Sequence, residues 1–186
     1  MAATETIQIP LGFKAPDFSL WDTASDKIIS YHDIRGQNGT VVMFICNHCP
    51  YVIHVREELI RLANEYIPKG IGFVAISSND VSQYPDDAPD KMKALALSLK
   101  FPFPYLYDET QEVAKLYQAA CTPDFSVFDS NDICVYRGQL DNSRPKNNIP
   151  VTGKDLRYVL DCLIHQWPIP EKQIPSIGCN IKWKKS

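Results

Sequence analysis

The stretch Val41-Val42-Met43-Phe44-Ile45-Cys46-Asn47-His48-Cys49-Pro50 places an uninterrupted apolar run directly before two cysteines that are separated by two residues. Apolar runs without polar alternation are typical of strands that are buried on both faces of a sheet. Apolar residues then recur at helical spacing from Val52 to Tyr66. A strand that delivers two thiols to a helix N-terminus favours a redox site, because the helix dipole stabilises a thiolate.

Length and composition are those of an ordinary globular protein. The chain has 186 residues, of which 45% are apolar and 22% are charged. This length suffices for one compact core. We therefore predict a single domain over residues 1–186, with a loose lead-in at 1–12 and an extended tail at 166–186.

Charge and N-terminal sequence bear on partners and location. The net charge is −3, and the one basic cluster (Lys182, Lys184 and Lys185) lies at the C-terminus, where we expect it to be solvated. The first ten residues lack the basic and apolar regions of a signal peptide, and no stretch approaches the length of a membrane span. We expect a cytoplasmic protein without nucleic-acid or membrane partners. Six cysteines do not imply structural disulfides in that compartment.

Periodicity and turn residues predict alternating strands and helices. The predicted strands are a hairpin over 18–29, buried strands at 40–45 and 71–76, a short strand at 105–107, and a second hairpin with strands at 125–128 and 133–137. The predicted helices begin at Pro50 and span 89–99, 109–117 and 152–165, with Thr152 as the cap of the last one. This order predicts an α/β fold with a central mixed sheet and helices on both faces.

Four stretches carry a resemblance to a known family: LGFKAPDFSLWD at 11–22, VVMFICNHCPYV at 41–52, CTPDFSVFD at 121–129 and YRGQLDNS at 136–143. They resemble the thioredoxin superfamily, in the branch that groups peroxiredoxin-like proteins with thiol–disulfide oxidoreductases. Residues 78–92 and 174–184 are similar to the smaller peroxiredoxin-like subgroup. The resemblance implies a thioredoxin-like fold with an N-terminal hairpin extension and a C-terminal extended tail.

The resemblance also implies a substrate groove beside the two cysteines. Thr122-Pro123 would be a cis-proline turn that faces them and whose backbone pairs with an extended segment of the substrate. The residues expected to tune the redox couple and to form this groove are Asn47, His48, Pro50, Thr122 and Pro123.

The chain departs from the pattern of two subclasses of this superfamily. A peroxiredoxin carries Pro seven residues and Thr three residues before its reactive cysteine. Those places hold Gly39 and Met43 when counted from Cys46, and Val42 and Cys46 when counted from Cys49. A typical thioredoxin has Trp directly before the first cysteine and a buried acid six residues before it, where this chain has Ile45 and Thr40.

The catalytic pair that we predict is Cys46 and Cys49. Cys46 would face solvent and attack a substrate disulfide, and the deeper Cys49 would then attack Cys46 and release the reduced substrate. A partly charged His48 would favour the thiolate and make the couple more oxidising. The alternative is an exposed His48 with little influence on the thiols.

The other cysteines divide into two groups. Cys121 precedes the predicted cis-proline turn, and Cys179 lies in a tail that can fold back over the site. Both are candidates for additional thiols, against the alternatives of an inert buried side chain and an uninvolved tail residue. Cys134 and Cys162 fall on an apolar strand and helix and are expected in the core, whereas His32 and His165 are expected at the surface.

The predicted activity is thiol–disulfide oxidoreduction without an organic cofactor or a metal. Its substrate would be a disulfide- or dithiol-containing protein or a small thiol, with electrons from a separate donor. Three alternatives stay open. They are a thiol-dependent peroxidase, a copper-binding thioredoxin-like protein that uses Cys46, Cys49 and either His48 or His54, and a binding module without turnover.

Overall fold

The computed structural model describes residues 3–185, so that residues 1, 2 and 186 of the expected lead-in and tail lie outside the described residues. The α-helices are α1 (Pro50–Tyr66), α2 (Pro89–Ser98), α3 (Glu112–Leu116) and α4 (Lys154–His165). The strands are β1 (Ala3–Glu5), β2 (Ser19–Asp22), β3 (Lys27–Ser30), β4 (Gly39–Phe44), β5 (Ile71–Ser77), β6 (Tyr105–Tyr107), β7 (Cys121–Thr122), β8 (Asp124–Phe128), β9 (Cys134–Arg137) and β10 (Ile177–Asn180). Within residues 3–185, no helix combines the length and the apolar character that a membrane crossing requires.

A seven-stranded mixed sheet forms the centre of the molecule, in the order β3-β2-β6-β5-β4-β8-β9. β4 runs parallel to β5 and antiparallel to β8, so that Val42 pairs with Val74 on one side and with Ser126 on the other. Every residue of β4 is buried, as its unbroken apolar sequence predicts. The predicted central mixed sheet is confirmed.

Helices cover both faces of this sheet. Side chains alternate across β4: Val41 and Met43 pack with α1, α2 and α4, whereas Val42 and Phe44 pack with α3 and the N-terminal hairpin region. This alternation follows from the two-residue period of a strand. The predicted thioredoxin-like α/β layering is therefore confirmed.

Helix α1 begins directly after the two cysteines. Pro50 occupies its first position, where the missing N–H has no partner inside the helix. The carbonyl of Cys49 accepts the N–H of Ile53 at 2.9 Å. The predicted apolar stripe is buried against the sheet: Val52, Val55, Leu59, Leu62 and Tyr66. The end of β4 and the start of α1 thus hold the two thiols in a short, fixed connection.

A second, three-stranded sheet has the order β1-β10-β7. In it Cys179 pairs with Ala3 on one side and with Thr122 on the other, and both pairings are antiparallel. The lead-in and the tail are therefore not simply loose or extended, because each contributes a strand that satisfies the backbone groups of its neighbour. No local pattern in either segment indicated a strand.

Two smaller expectations were wrong. Lys182 is not solvated but 6% exposed, and its ammonium group donates to the carbonyl and side-chain oxygens of Asn180. Thr152 does not cap α4, because Gly153 occupies that position without a side-chain cap. The Asp141 carboxylate instead accepts the backbone N–H groups of both Thr152 and Gly153 at 2.7 Å.

Replacement of Gly178 by alanine tests how closely β10 packs against β7. A Cβ atom there would lie 1.9 Å from the Thr122 carbonyl oxygen, so β10 must move away from β7. We expect this overpacking to cost about 1–3 kcal/mol and to reduce the hydrogen-exchange protection of residues 177–180. Glu5→Ala is the matched control, because it removes an exposed side chain from β1, the other neighbour of β10. Equal protection in the two variants would contradict the close approach.

Candidate active site

Cys46 and Cys49 are both buried, with 1% and 0% of their surface exposed. The expectation that Cys46 faces solvent was therefore wrong. Both sulfur atoms belong to the same packed cluster as Cys179, because β7 and β10 lie over the start of α1.

The Thr122–Pro123 peptide bond is cis, as the resemblance implies. Thr122 contacts both sulfur atoms of the dithiol. Its side-chain Oγ1 lies 3.5 Å from Cys46 Sγ, and its carbonyl oxygen lies 3.1 Å from Cys49 Sγ and accepts that thiol's hydrogen. One residue of the turn thus provides a hydroxyl to the first cysteine and a carbonyl to the second.

The pKa values of the two thiols are shifted in opposite directions. The hydrogen bond that Cys46 donates lowers the pKa of Cys49 to about 4. The same hydrogen bond, followed by burial and the charge of Asp87, raises the pKa of Cys46 well above the ordinary value of a thiol. Cys49 therefore loses its proton more readily than an ordinary thiol does, and it donates to the Thr122 carbonyl only while it is protonated. A thiolate of this kind is what thiol exchange requires.

Asp87 is a site residue that the sequence reasoning missed. It is fully buried and accepts the backbone N–H groups of Asn47 at 2.8 Å and His48 at 3.2 Å. Its second oxygen accepts the side-chain amide of Asn79 at 2.8 Å and lies 2.6 Å from Nδ1 of His48. Asp87 falls in the segment interpreted as a polar loop, where no spacing distinguishes it from its neighbours Asp86 and Asp90.

His48 is held in place and is not a free surface residue. Its side chain is 15% exposed, and its ring stacks on that of Tyr84 at 5.3 Å between centroids. Nδ1 pairs with Asp87, while Nε2 is buried and has no hydrogen-bond partner among the described residues. The alternative of an exposed His48 is therefore wrong. The ring is part of the same network as the dithiol.

Asn47 and Pro50 have supporting positions. The Asn47 side chain donates to the carbonyl of Asp86 at 2.9 Å and accepts the hydroxyl of Tyr105 at 3.0 Å. These bonds tie the dithiol loop to two other parts of the chain. Pro50 is exposed at the start of α1.

The four remaining thiols have different surroundings. Cys121 Sγ lies 3.9 Å from the Thr6 hydroxyl and 3.5 Å from the carbonyl of Pro123. Cys179 lies opposite Thr122 and next to the dithiol. Cys134 and Cys162 are buried in the core, and His32 and His165 are exposed, as predicted.

Cys46, His48 and Asp87 form a group whose ligand atoms lie within 4.8 Å of one another. Two of the three are already paired, because His48 Nδ1 and Asp87 Oδ2 share a hydrogen bond. His54, the other histidine weighed for a metal site, pairs with the Ser143 hydroxyl at 2.7 Å. The group is therefore described more simply as a hydrogen-bonded network beside a thiol than as a metal centre.

Comparison with known proteins decides the family. The model of the AhpC/TSA family matches residues 11–137, which is more than half of the chain and includes the dithiol, the cis-proline turn and β9. The chain belongs to the AhpC/TSA family. This family is part of the thioredoxin superfamily, so the resemblance is confirmed and supports a thioredoxin-like redox function. No curated protein matches the chain significantly.

Two similar solved structures extend over the whole of this AhpC/TSA protein. An uncharacterized conserved protein from Geobacillus kaustophilus is 59% identical, with a TM-score of 0.98 over 100% of this chain and 98% of that one. A hypothetical protein from Sinorhizobium meliloti is 40% identical, with a TM-score of 0.96 over 98% of this chain and 100% of that one. The thioredoxin domain of a thiol-disulfide oxidoreductase from Bacteroides vulgatus is 17% identical, with a TM-score of 0.65 over 84% of this chain and 99% of that one. At that identity it shows the fold alone.

Substitution of Asp87 by asparagine tests its effect on Cys46. The Asp87 charge is one cause of the raised pKa of Cys46, so its removal should lower that pKa. The measurement is the rate at which Cys46 is alkylated at a series of pH values in a Cys49→Ser background, with the alkylated protein quantified by mass spectrometry. There the hydrogen bond between the two thiols no longer obscures the effect of Asp87.

Asp86→Asn is the matched control. Asp86 is exposed and contacts Asn47 only through its backbone carbonyl, so the pKa of Cys46 should not change in this variant. An unchanged or higher pKa of Cys46 in Asp87→Asn would contradict the direct electrostatic effect.

Proposed function

We propose that this protein is a thiol–disulfide oxidoreductase whose redox couple is Cys46 and Cys49. The observation that carries the proposal is the contact of Thr122 with both sulfur atoms, at 3.5 Å and 3.1 Å. It places a hydrogen-bonded, singly charged dithiol against a cis-proline turn. A metal or a cofactor is not needed for exchange between sulfur atoms.

The first step is attack by Cys46 on a substrate disulfide. Its proton moves to the Cys49 thiolate, and the resulting Cys49 thiol donates a hydrogen bond to the Thr122 carbonyl. Cys46 thereby becomes the nucleophile. A bond forms between Cys46 and one substrate sulfur, and the second substrate sulfur leaves as a thiolate. The electrons stay in balance because one disulfide replaces another.

The second step is attack by Cys49 on Cys46. The departing thiolate takes the proton from Cys49, and the Cys49 thiolate then forms the Cys46–Cys49 disulfide and releases the other half of the substrate. The low pKa of Cys49 supports this step. A separate donor, such as a reductase or a small thiol, would return the pair to the dithiol. The reverse sequence oxidises a substrate dithiol.

His48 and Asp87 set the redox balance in this proposal. The His48 ring lies against Asp87, and a positive charge on that ring favours the reduced, anionic pair over the neutral disulfide. The unpartnered Nε2 atom of His48 is the polar group that remains to bind a substrate. A cytoplasmic location fits this use of free thiols and is part of the proposal.

Reduction of peroxide is the second candidate function. Membership of the AhpC/TSA family supports it, and so does the Thr122 hydroxyl beside Cys46 Sγ, since a hydroxyl there can bind and polarise a peroxide oxygen. The Cys46 thiolate would attack one peroxide oxygen, so that the O–O bond breaks, the other oxygen leaves as water or an alcohol, and Cys46 becomes a sulfenic acid. Cys49 would then condense with it to the same disulfide and release water. Because both thiols are buried, a small oxidant can reach them more readily than a folded protein can.

A Cys49→Ser variant should trap the mixed disulfide. With glutathione disulfide as substrate, Cys46 should retain one glutathione, because the intramolecular attack that releases it is lost. Release should slow by at least about 100-fold relative to the wild type. The measurement is the mass of the intact protein over time after acid quenching.

Cys46→Ser is the matched variant for this experiment. A faster and more stable adduct on Cys49 in that variant would show that Cys49 is the nucleophile and Cys46 the thiol that resolves the mixed disulfide. If neither variant forms an adduct while hydrogen peroxide rapidly converts Cys46 to a sulfenic acid, peroxide reduction should replace thiol–disulfide exchange as the proposed function.

A His48→Gln variant tests the tuning role of the histidine. Glutamine keeps the backbone N–H that donates to Asp87 but removes the titratable ring. We expect a reduction potential at least about 30 mV more negative, measured by equilibrium with glutathione. The same potential or a more oxidising one would show that His48 does not favour the reduced pair.

A further inference from the structure

The C-terminal strand β10 lies against the same turn as the dithiol. Its residue Cys179 pairs with Thr122 in the antiparallel register, and Thr122 contacts the sulfur atoms of both Cys46 and Cys49. Cys179 is 4% exposed and packs in one buried cluster with those two residues. Three thiols therefore meet around Thr122.

The position of Cys179 is held from several directions. A Cβ atom on Gly178 would lie 1.9 Å from the Thr122 carbonyl oxygen, so only glycine allows the strand this close to the turn. The Ser176 hydroxyl donates to the carbonyl of Pro123 at 2.7 Å, and the N–H of Thr6 donates to the Ser176 carbonyl at 2.9 Å. These bonds hold the strand, and Cys179 with it, in one register.

The other cysteines outside the dithiol engage different partners. Cys121 contacts the hydroxyl of Thr6 and the carbonyl of Pro123. Cys134 and Cys162 donate to the carbonyls of Tyr136 and Pro168. Cys179 instead interacts with Cys49: burial first, and then the hydrogen bond to Cys49, raise its pKa to about 12.

We propose that Cys179 is a third redox thiol, which takes over the disulfide from the Cys46–Cys49 pair. Its sulfur attacks Cys49 Sγ, the Cys46–Cys49 bond breaks, and a Cys49–Cys179 bond forms. Cys46 leaves as a thiolate and receives the proton that Cys179 loses. The step moves a disulfide within the protein, so it consumes no further oxidant. It rests on the proposed function, which supplies the Cys46–Cys49 disulfide.

Oxidation of the pair itself makes this step easier. The charge of Cys49 is one cause of the raised pKa of Cys179, and that charge disappears when Cys49 enters a disulfide. The result is an oxidised protein in which Cys46 is again a free thiol and the C-terminal strand is bound covalently to the start of α1. Such a protein stores the two oxidising equivalents of one disulfide while its nucleophile is ready for a second substrate.

A peptide map of the oxidised protein tests the proposal. The protein is oxidised with diamide, quenched in acid, alkylated and digested with trypsin. Cys46 and Cys49 share the tryptic peptide 36–56, and Cys179 lies in the peptide 173–182. We expect a cross-link between these two peptides with Cys46 alkylated, and its yield should rise with pH because a thiolate attacks. In Cys179→Ser this cross-link and the alkylation of Cys46 should both be lost.

Two further variants complete the test. Cys121→Ser, which changes another buried thiol beside the same turn, should leave the cross-link unchanged. Cys46→Ser should form the Cys49–Cys179 bond directly on oxidation. The third-thiol proposal would be overturned if Cys179 could still be fully alkylated in the oxidised wild type and in oxidised Cys46→Ser. That result would leave the proposed function intact. Absence of any disulfide between Cys46 and Cys49 in the oxidised Cys179→Ser variant would instead count against the proposed function.

Discussion

The contact between Thr122 and the dithiol is the interaction on which the rest of the site depends. Thr122 faces Cys46 with its hydroxyl and Cys49 with its carbonyl, and its backbone pairs with β10. Thr122 thus joins the three-stranded sheet to the dithiol. Any displacement of β10 would alter the backbone that contacts the sulfur atoms, so the tail and the chemistry are mechanically coupled.

Burial gives the charges around this contact their importance. The reduced pair carries a negative charge, and the Asp87 carboxylate lies within 4.8 Å of Cys46 Sγ. Burial of that carboxylate beside the thiols is unfavourable, and its charge is one cause of the raised pKa of Cys46. The backbone N–H groups of Asn47 and His48 offset part of this cost, since both donate to Asp87. Together with the side-chain amide of Asn79, these groups hold a carboxylate near the thiols.

The sequence predicted those strands and helices whose own residues determine their structure. The unbroken apolar run of β4 and the apolar stripe of α1 led to the buried strand, the helix and the position of Cys46 and Cys49 between them. β10 was not predictable in this way, because Ile177–Asn180 becomes a strand only when the distant Thr122 and Ala3 supply its partners. Asp87 was missed for the same reason, since its contacts to Asn47 and His48 span about 40 residues of sequence.

The two groups that appeared to be missing from the sequence are present in the structure, at other positions. Met43 replaces the threonine of a peroxiredoxin, yet the hydroxyl of Thr122 lies 3.5 Å from Cys46 Sγ. Thr40 replaces the buried acid of a thioredoxin, yet the buried carboxylate of Asp87 lies beside the same thiol. A sequence motif describes only positions along the chain, whereas the reactivity of a thiol depends on the groups that surround it in space. The departures at residues 40 and 43 therefore do not argue against either thiol exchange or peroxide reduction.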